Sequence, residues 1–416
     1  MLMYIPFSVL VLAISFVLIA LRNVANIKLQ IWQIVTGGAI AVLLASQITF
    51  AAALSYIDPT VIVFLIGIFI VGDALTESGY MQYVAYRIFG YAKSVDSLVL
   101  LVMLVMGIGS MVLLNDTLAV IGTPVVLLFA SQEKIDPKLM LLALAFSITI
   151  GSVASPIGNP QNILIASSGL VSNQFITFPV YLLVPTLINI ALAYAVLRVL
   201  YRKEFRRGRE VRVAVDVKDI KLARLCKISI AILVLGIAAY TLLEASGWKG
   251  VMNFAYIAPA AAMPILIFSD KRRKIAAGID WSTIVFFISM FVLVGAVWQS
   301  GFAQMLVGNL GYGVGSVPVI LLVNVVGSQF ISNVPMVMLY LKLLAYKSVP
   351  AVAAMALAAG STVAGNLFIL GAASNIIIVT KAEKKYGHTI SFWDFTRAGI
   401  IITAMNIAVY WLFLSA

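Results

Sequence analysis

The sequence predicts an all-α polytopic membrane protein: about ten transmembrane helices and two re-entrant helical hairpins in two inverted repeats, with broken helices at the substrate site. Three observations carry that prediction. The 416 residues are 62% hydrophobic and 11% charged, with a mean hydropathy of +1.08, whereas a soluble domain carries about 25% charged residues. Apolar tracts long enough to cross a bilayer follow one another along the chain. Two distant stretches also echo each other, "DPTVIVFLIGIFIVGDALTESG" from Asp58 and "DWSTIVFFISMFVLVGAVWQSG" from Asp280.

A spanning helix needs about 20 apolar residues. Spans are expected near 5–22, 30–50, 58–76, 139–169, 178–200, 225–246, 251–269, 281–298, 351–379 and 394–415. Two longer tracts, 97–131 and 315–346, are each interrupted by a polar cluster, "LLNDTLA" and "FISNVPM". Each is expected to be a hairpin that enters and leaves on one side. The division expected is N-terminal scaffold helices at 1–57, a first repeat at 58–200, a basic linker at 201–224, linking helices at 225–279 and a second repeat at 280–416.

The formal charge of +12 has a topological reading, because loops on the cytoplasmic side collect Lys and Arg. With both termini outside, Lys249, Lys342 and Lys347 are the only ones of the 28 cationic residues to fall outside. The linker 201–224 is then cytoplasmic, and the chain is a multi-pass protein of the cell membrane. Nucleic acid is not expected as a partner; the lipid bilayer is. One cysteine, Cys226, and one histidine, His388, exclude a disulfide framework and a Cys- or His-based metal set. No cofactor, metal or catalytic residue is expected, and no nucleophile with a base argues for an enzyme.

The echo extends beyond the two opening stretches. Both end in Ser-Gly, at Ser78-Gly79 and Ser300-Gly301, and each leads through an amphipathic segment and a hairpin to a long broken span. "GNPQNILIA" then aligns with "GAASNIIIV", matching Gly158 with Gly371 and Asn162 with Asn375. The charge map places Asp58 outside and Asp280 inside, so the repeats insert in opposite senses, as in many secondary transporters.

Backbone groups in hydrocarbon must be bonded internally. The break "SPIGNPQN" is therefore expected to line a cavity: Pro156 and Pro160 remove donors, and Gly158 allows turns closed to other residues. Two half-helices then meet at mid-membrane with partial charges at their ends. Asn159, Gln161 and Asn162 add neutral donors and acceptors, and in the second repeat Gly365, Asn366, Gly371, Ser374 and Asn375 do the same. The hairpin tips contribute Asn115, Thr117, Ser332 and Asn333. Asp73 and Asp116 are the acids that fall within apolar tracts, and an intramembrane carboxylate suggests a functional site. Asp116, at a tip, is the expected proton carrier, with Asp73 its companion in ion coupling. No Arg or Lys lies at either break, which suits a neutral or singly charged oxygen-rich solute.

These motifs resemble the ion transporter superfamily, which includes arsenite/antimonite efflux permeases, citrate and dicarboxylate transporters, and sodium/proton antiporters. "ALTESGY", "NDTLAVIGTPVVLL", "SNVPMVML" and the C-terminal "HTISFWDFTRAGIIITAMNIAVYWLFL" look most like the arsenite permease branch. "PIGNPQN" looks like the broader anion permeases. Asn115-Asp116-Thr117 and Ser332-Asn333-Val334 stand where dicarboxylate carriers have Ser-Asn-Thr. The resemblance implies a scaffold, a homodimer, a moving transport domain and a solute held between hairpin tips and helix breaks. It implies secondary transport of a small inorganic or organic anion with H⁺, or with Na⁺. Arsenite/antimonite efflux by proton antiport and an elevator-type motion is the expectation. A di- or tricarboxylate carrier and a Na⁺/H⁺ antiporter are the alternatives.

Overall fold

The computed structural model describes residues 5–21, 29–206, 217–248, 250–302, 304–305, 311–347 and 349–415. The cations Arg22, Lys28 and Lys249 and the middle of the basic linker, 207–216, lie outside the described residues. Nineteen α-helices and no strand occur among those described.

The helices begin and end where local chemistry requires. The first half holds α1 (Phe7–Leu21), α2 (Ile31–Leu44), α3 (Phe50–Tyr56), α4 (Pro59–Ser78) and α5 (Tyr80–Phe89). It continues with α6 (Val95–Gly109), α7 (Asn115–Gln132), α8 (Pro137–Ser152), α9 (Pro160–Ser167) and α10 (Gln174–Leu200). Asp58 and Asp136 each cap a helix whose first residue is proline, accepting from the Thr60 and Lys138 N–H groups at 2.9 Å. The side-chain acceptor satisfies one exposed N–H, and proline has none to expose. Gly79 closes α4 with φ +70°, a conformation that costs glycine little.

The second half holds α11 (Ile220–Ala245), α12 (Ile257–Phe268), α13 (Arg272–Gly278), α14 (Trp281–Gln299) and α15 (Val317–Ile331). It ends with α16 (Asn333–Lys347), α17 (Ala351–Val363), α18 (Ala373–Tyr386) and α19 (Phe392–Ser415). Asp219 and Asp280 cap α11 and α14. Helices α4, α10, α11, α14 and α19 are long and apolar enough to cross a membrane.

Both interrupted tracts are hairpins, but their tips differ. The α6–α7 link spans five residues, 110–114. The α15–α16 link is Ser332 alone, at φ 69° and ψ 158°, a region in which side chains other than glycine's hydrogen are strained. Both long spans are broken. Residues 153–159 separate α8 from α9, and two 3₁₀ turns, 364–366 and 369–371, separate α17 from α18.

Packing divides the helices into two groups. In one, α1 and α2 pack on α14, while α11 and α12 pack on α4. Each half thus lends its leading helices to the other. Residues 225–279, expected only to link, include α12, which fits so tightly on α4 that a side chain at Gly67 would strike the Ala258–Pro259 backbone. In the other group α6 packs on α8 and α15 on α17, and the far half-helices cross over, α18 onto α7 and α9 onto α16. Gly151 meets the Gly107 backbone where α8 crosses α6. Small residues at such crossings let helices approach in lipid.

Candidate functional site

The first break is held open by its own side chains. Asn159 caps α9 by accepting from Asn162 N at 2.9 Å. Its Nδ2 donates to Ser152 Oγ at 3.0 Å and to Thr362 Oγ1 of α17 at 3.1 Å. Asn162 Nδ2 lies within 3.3 Å of three carbonyls at the break, those of Ser152, Val153 and Ser155. Gly158 sits against the Ser152 and Ser110 carbonyls, where any Cβ would collide. Gly158 O accepts from Asn115 N at 3.0 Å, which fastens the first hairpin tip to the first break.

The second break uses the same device. Asn375 Nδ2 donates to Gly365 O at 2.7 Å, ten residues back, as Asn162 does to Ser152 O. Gln329, in the last turn of α15, donates to Ala364 O at 2.9 Å. Gly371 leaves room for that amide and for the Ala364 carbonyl. Asn366 Nδ2 donates to Asn406 Oδ1 of α19 at 3.1 Å. Thr149 of α8 lies against Gly365. The two breaks are therefore joined twice, through Asn159–Thr362 and through Thr149–Gly365.

Several atoms in this region are buried and make no hydrogen bond among the described residues: Asn162 Oδ1, Asn333 Oδ1, Asn366 Oδ1, Asn375 Oδ1, Ser374 Oγ and Thr149 Oγ1. An unpaired buried polar group costs a few kcal/mol, so six together point to a solute or water as partner. All six are neutral. No Lys or Arg occurs in 139–169 or 351–379. Lys381, further along α18, donates to Val120 O of α7 at 2.7 Å.

The remaining sequence candidates fall as follows. Asn115 is buried at the first tip, and its Oδ1 accepts from Asp116 N at 2.9 Å. Asp116 is half-buried in the first turn of α7, where the helix end favours a negative charge. Thr117 faces α4: its Oγ1 lies 2.7 Å from where a Cβ at Gly72 would sit. Gln161 is buried in the first turn of α9 and Ser374 in that of α18. Ser332 and Asn333 form the second tip. Asp73 reaches the end of α13, where its carboxylate abuts Gly278. Thr149, Ser152, Gln329, Thr362 and Asn406 take part in the geometry without having been expected. Isolated polar residues in apolar helices usually bond back to their own helix, so nothing in the sequence separates these from the rest.

Comparison with known proteins agrees with this architecture. The chain is 29% identical over 424 residues to an uncharacterized transporter of Mycobacterium bovis, covering 96% of each chain. It is 27% identical over 444 residues to the silicon efflux transporter LSI3 of Oryza sativa subsp. japonica, covering 89% of this chain and 90% of the other. The crystal structure of the Alcanivorax borkumensis YdaH transporter matches with a TM-score of 0.59 at 14% identity, covering 88% and 87% of the two chains, a likeness of fold alone. The family model described as citrate transporter (CitMHS) matches residues 10–346, and the chain belongs to that family of membrane transporters.

Proposed function

We propose that this transporter exports a small uncharged oxyacid, with arsenite/antimonite the best-fitting substrate, in exchange for protons. One observation carries the reading: the breaks offer unpaired neutral oxygens, chiefly Asn162 Oδ1 and Asn375 Oδ1, and no cation. A site of neutral acceptors suits a solute that presents several O–H donors, and leaving such acceptors unpaired disfavours solutes that lack them. Arsenous acid and silicic acid are both uncharged polyhydroxy acids near neutral pH. The similarity to a plant silicon efflux transporter supports this substrate class.

Asp116 supplies the exchangeable proton in this mechanism. Site residues are Asn115, Thr117, Gly158, Asn159, Gln161, Asn162, Ser332, Asn333, Asn366, Gly371, Ser374 and Asn375, of which Asn159, Asn162 and Asn375 also maintain the breaks. The protein works as two inverted repeats. Helices α1–α4 and α11–α14 form the frame, and the hairpins with the broken helices form a body that slides against it. The basic linker lies in the cytoplasm. The exchanged packing of leading helices and the matching Asn-to-carbonyl bonds support this division.

A second reading, a di- or tricarboxylate carrier, is favoured by the family description and by the N-termini of α9 and α18 at the two breaks, since helix N-termini attract carboxylates. Purified protein in vesicles with an imposed pH gradient separates the two. Arsenite is expected to accumulate against its gradient and citrate is not. Asp116→Asn is expected to abolish pH-driven accumulation while leaving downhill exchange. Citrate accumulation without arsenite movement would select the second reading, and full pH-driven arsenite accumulation by Asp116→Asn would remove the aspartate from the mechanism.

A further inference from the structure

A cavity of about 170 Å³ lies apart from the breaks, at the far end of α9. Its wall comprises Tyr56 and Asp58 before α4, Ser167 and Ser168 at the end of α9, Phe291 and Gly295 of α14, and Met338 and Lys342 of α16. The α9 helix has eight residues, so the cavity is about 12 Å along the chain from the first break. Its character differs from that of the breaks, because it contains a cation.

Lys342 is half-buried, and its ammonium stands over the Tyr56 ring, 5.3 Å from the centroid. Among the described residues no carboxylate pairs with it. Asp58, on the same wall, spends Oδ1 on capping α4. Gly295 allows this arrangement, since a side chain there would run into the Tyr56 ring. A lysine that merely reached for water along the bilayer edge would not need an aromatic seat inside a cavity. The two serines add a directional clue. Ser167 Oγ donates to Leu164 O at 3.0 Å and Ser168 Oγ to Ile165 O at 2.7 Å. Their hydrogens are spent, and Ser168 Oγ also accepts from Leu170 N at 3.3 Å, so lone pairs, chiefly those of Ser167, are what they present to the cavity.

We propose that this cavity is a second binding site, for a small oxyanion that carries one negative charge and at least one hydroxyl, of the bicarbonate or dihydrogen phosphate type. The anionic oxygen pairs with Lys342 and the hydroxyl donates to Ser167 or Ser168. A wall that carries one cation, Lys342, and one carboxylate, Asp58, disfavours a second negative charge on the ligand, and the volume corresponds to roughly five or six waters at about 30 Å³ each, which admits such ions and is small for a sugar acid. The site is independent of the solute handled at the breaks. It lies between helices assigned to the frame, α4 and α14, and helices assigned to the sliding body, α9 and α16, so its occupant bears on their relative position.

The test uses detergent-purified Cys226→Ser, Ala345→Cys protein, in which the new thiol lies on the cavity wall one turn from Lys342. The rate of maleimide labelling is measured at fixed pH and ionic strength in sodium bicarbonate, sodium phosphate or sodium acetate, with sodium lactobionate as an anion too large to enter. Bicarbonate and phosphate are expected to slow labelling several-fold relative to lactobionate, and acetate, which has no hydroxyl, to slow it less. Adding Lys342→Gln is expected to remove the protection, while Lys342→Arg retains it. Equal rates in all four salts, or equal protection with Lys342→Gln, would overturn the site and leave Lys342 as a residue reaching for water. Equal protection by acetate would overturn the hydroxyl contact. Gel filtration and the melting temperature of each variant establish that it is folded, and arsenite transport at the breaks is read separately.

Discussion

Two asparagines occupy matching places and carry unequal structural duties. Asn162 Nδ2 serves three carbonyls and Asn375 Nδ2 one. Removing a partner from a buried carbonyl costs about 1–3 kcal/mol. Asn162→Ala is therefore expected to lower the melting temperature of the purified protein more than Asn375→Ala, with a difference in stability of about 1–3 kcal/mol; equal losses would show that a single carbonyl contact dominates at each break. Glycine is constrained as well. A methyl at Gly151 meets the Gly107 backbone, which cannot yield as a side chain would, so Gly151→Ala is expected to cost about 1–3 kcal/mol or more and to reduce the yield of folded protein. The internal repeat makes the pair Asn162 and Asn375 legible in sequence. Their bonding is not, because it depends on where the broken backbone directs its carbonyls.

Helices are fixed by their ends, and these were largely readable. Aspartate followed by proline marks the starts of α4 and α8, and Ser-Gly marks the end of α4. The first break is written in prolines. The second, "AGNLFILG", contains none and resolves into two short 3₁₀ turns that apolar composition conceals. At the start of α11 the Asp219 carboxyl is held below the usual carboxylate range, first by the Leu222 N–H and then by the Lys271 ammonium 3.0 Å away. Lys271 is raised by Asp219 and Glu77 and joins α11 and α4 to the turn before α13. A depressed carboxyl adds stability above its unfolded value, near 4, and loses it as pH falls through its lower folded value. Melting temperature is thus expected to decline as pH drops below about 4, and the Asp219→Asn protein to show a smaller decline over that window. An identical decline in both would assign the acid sensitivity to other carboxylates.

In the proposed mechanism the frame and the body meet where Thr117 of α7 lies against Gly72 of α4, with the Thr117 Cβ 3.4 Å from the position a Cβ at 72 would take. Disulfides span Cβ atoms about 3.5–4.5 Å apart. In a Cys226→Ser background, Gly72→Cys with Thr117→Cys is expected to cross-link under mild oxidation and to halt transport, with reductant restoring it. Full transport by quantitatively cross-linked protein would rule out sliding at this contact. The transporter class was legible from hydropathy, charge bias and the repeat, while the exchange of leading helices between halves was not, because hydropathy counts spans without saying which of them touch. That exchange governs how the chain is made. When a ribosome has delivered α1–α10 to the bilayer, the flank of α4 that will receive α11 and α12 still faces lipid or another protein, and α1 and α2 have no α14 to rest upon. Completion of the N-terminal portion waits for synthesis of the C-terminal portion. A nascent chain arrested after α10 is therefore expected to be cleared by membrane quality-control proteases, and supplying the missing segment as a separate polypeptide is expected to rescue it.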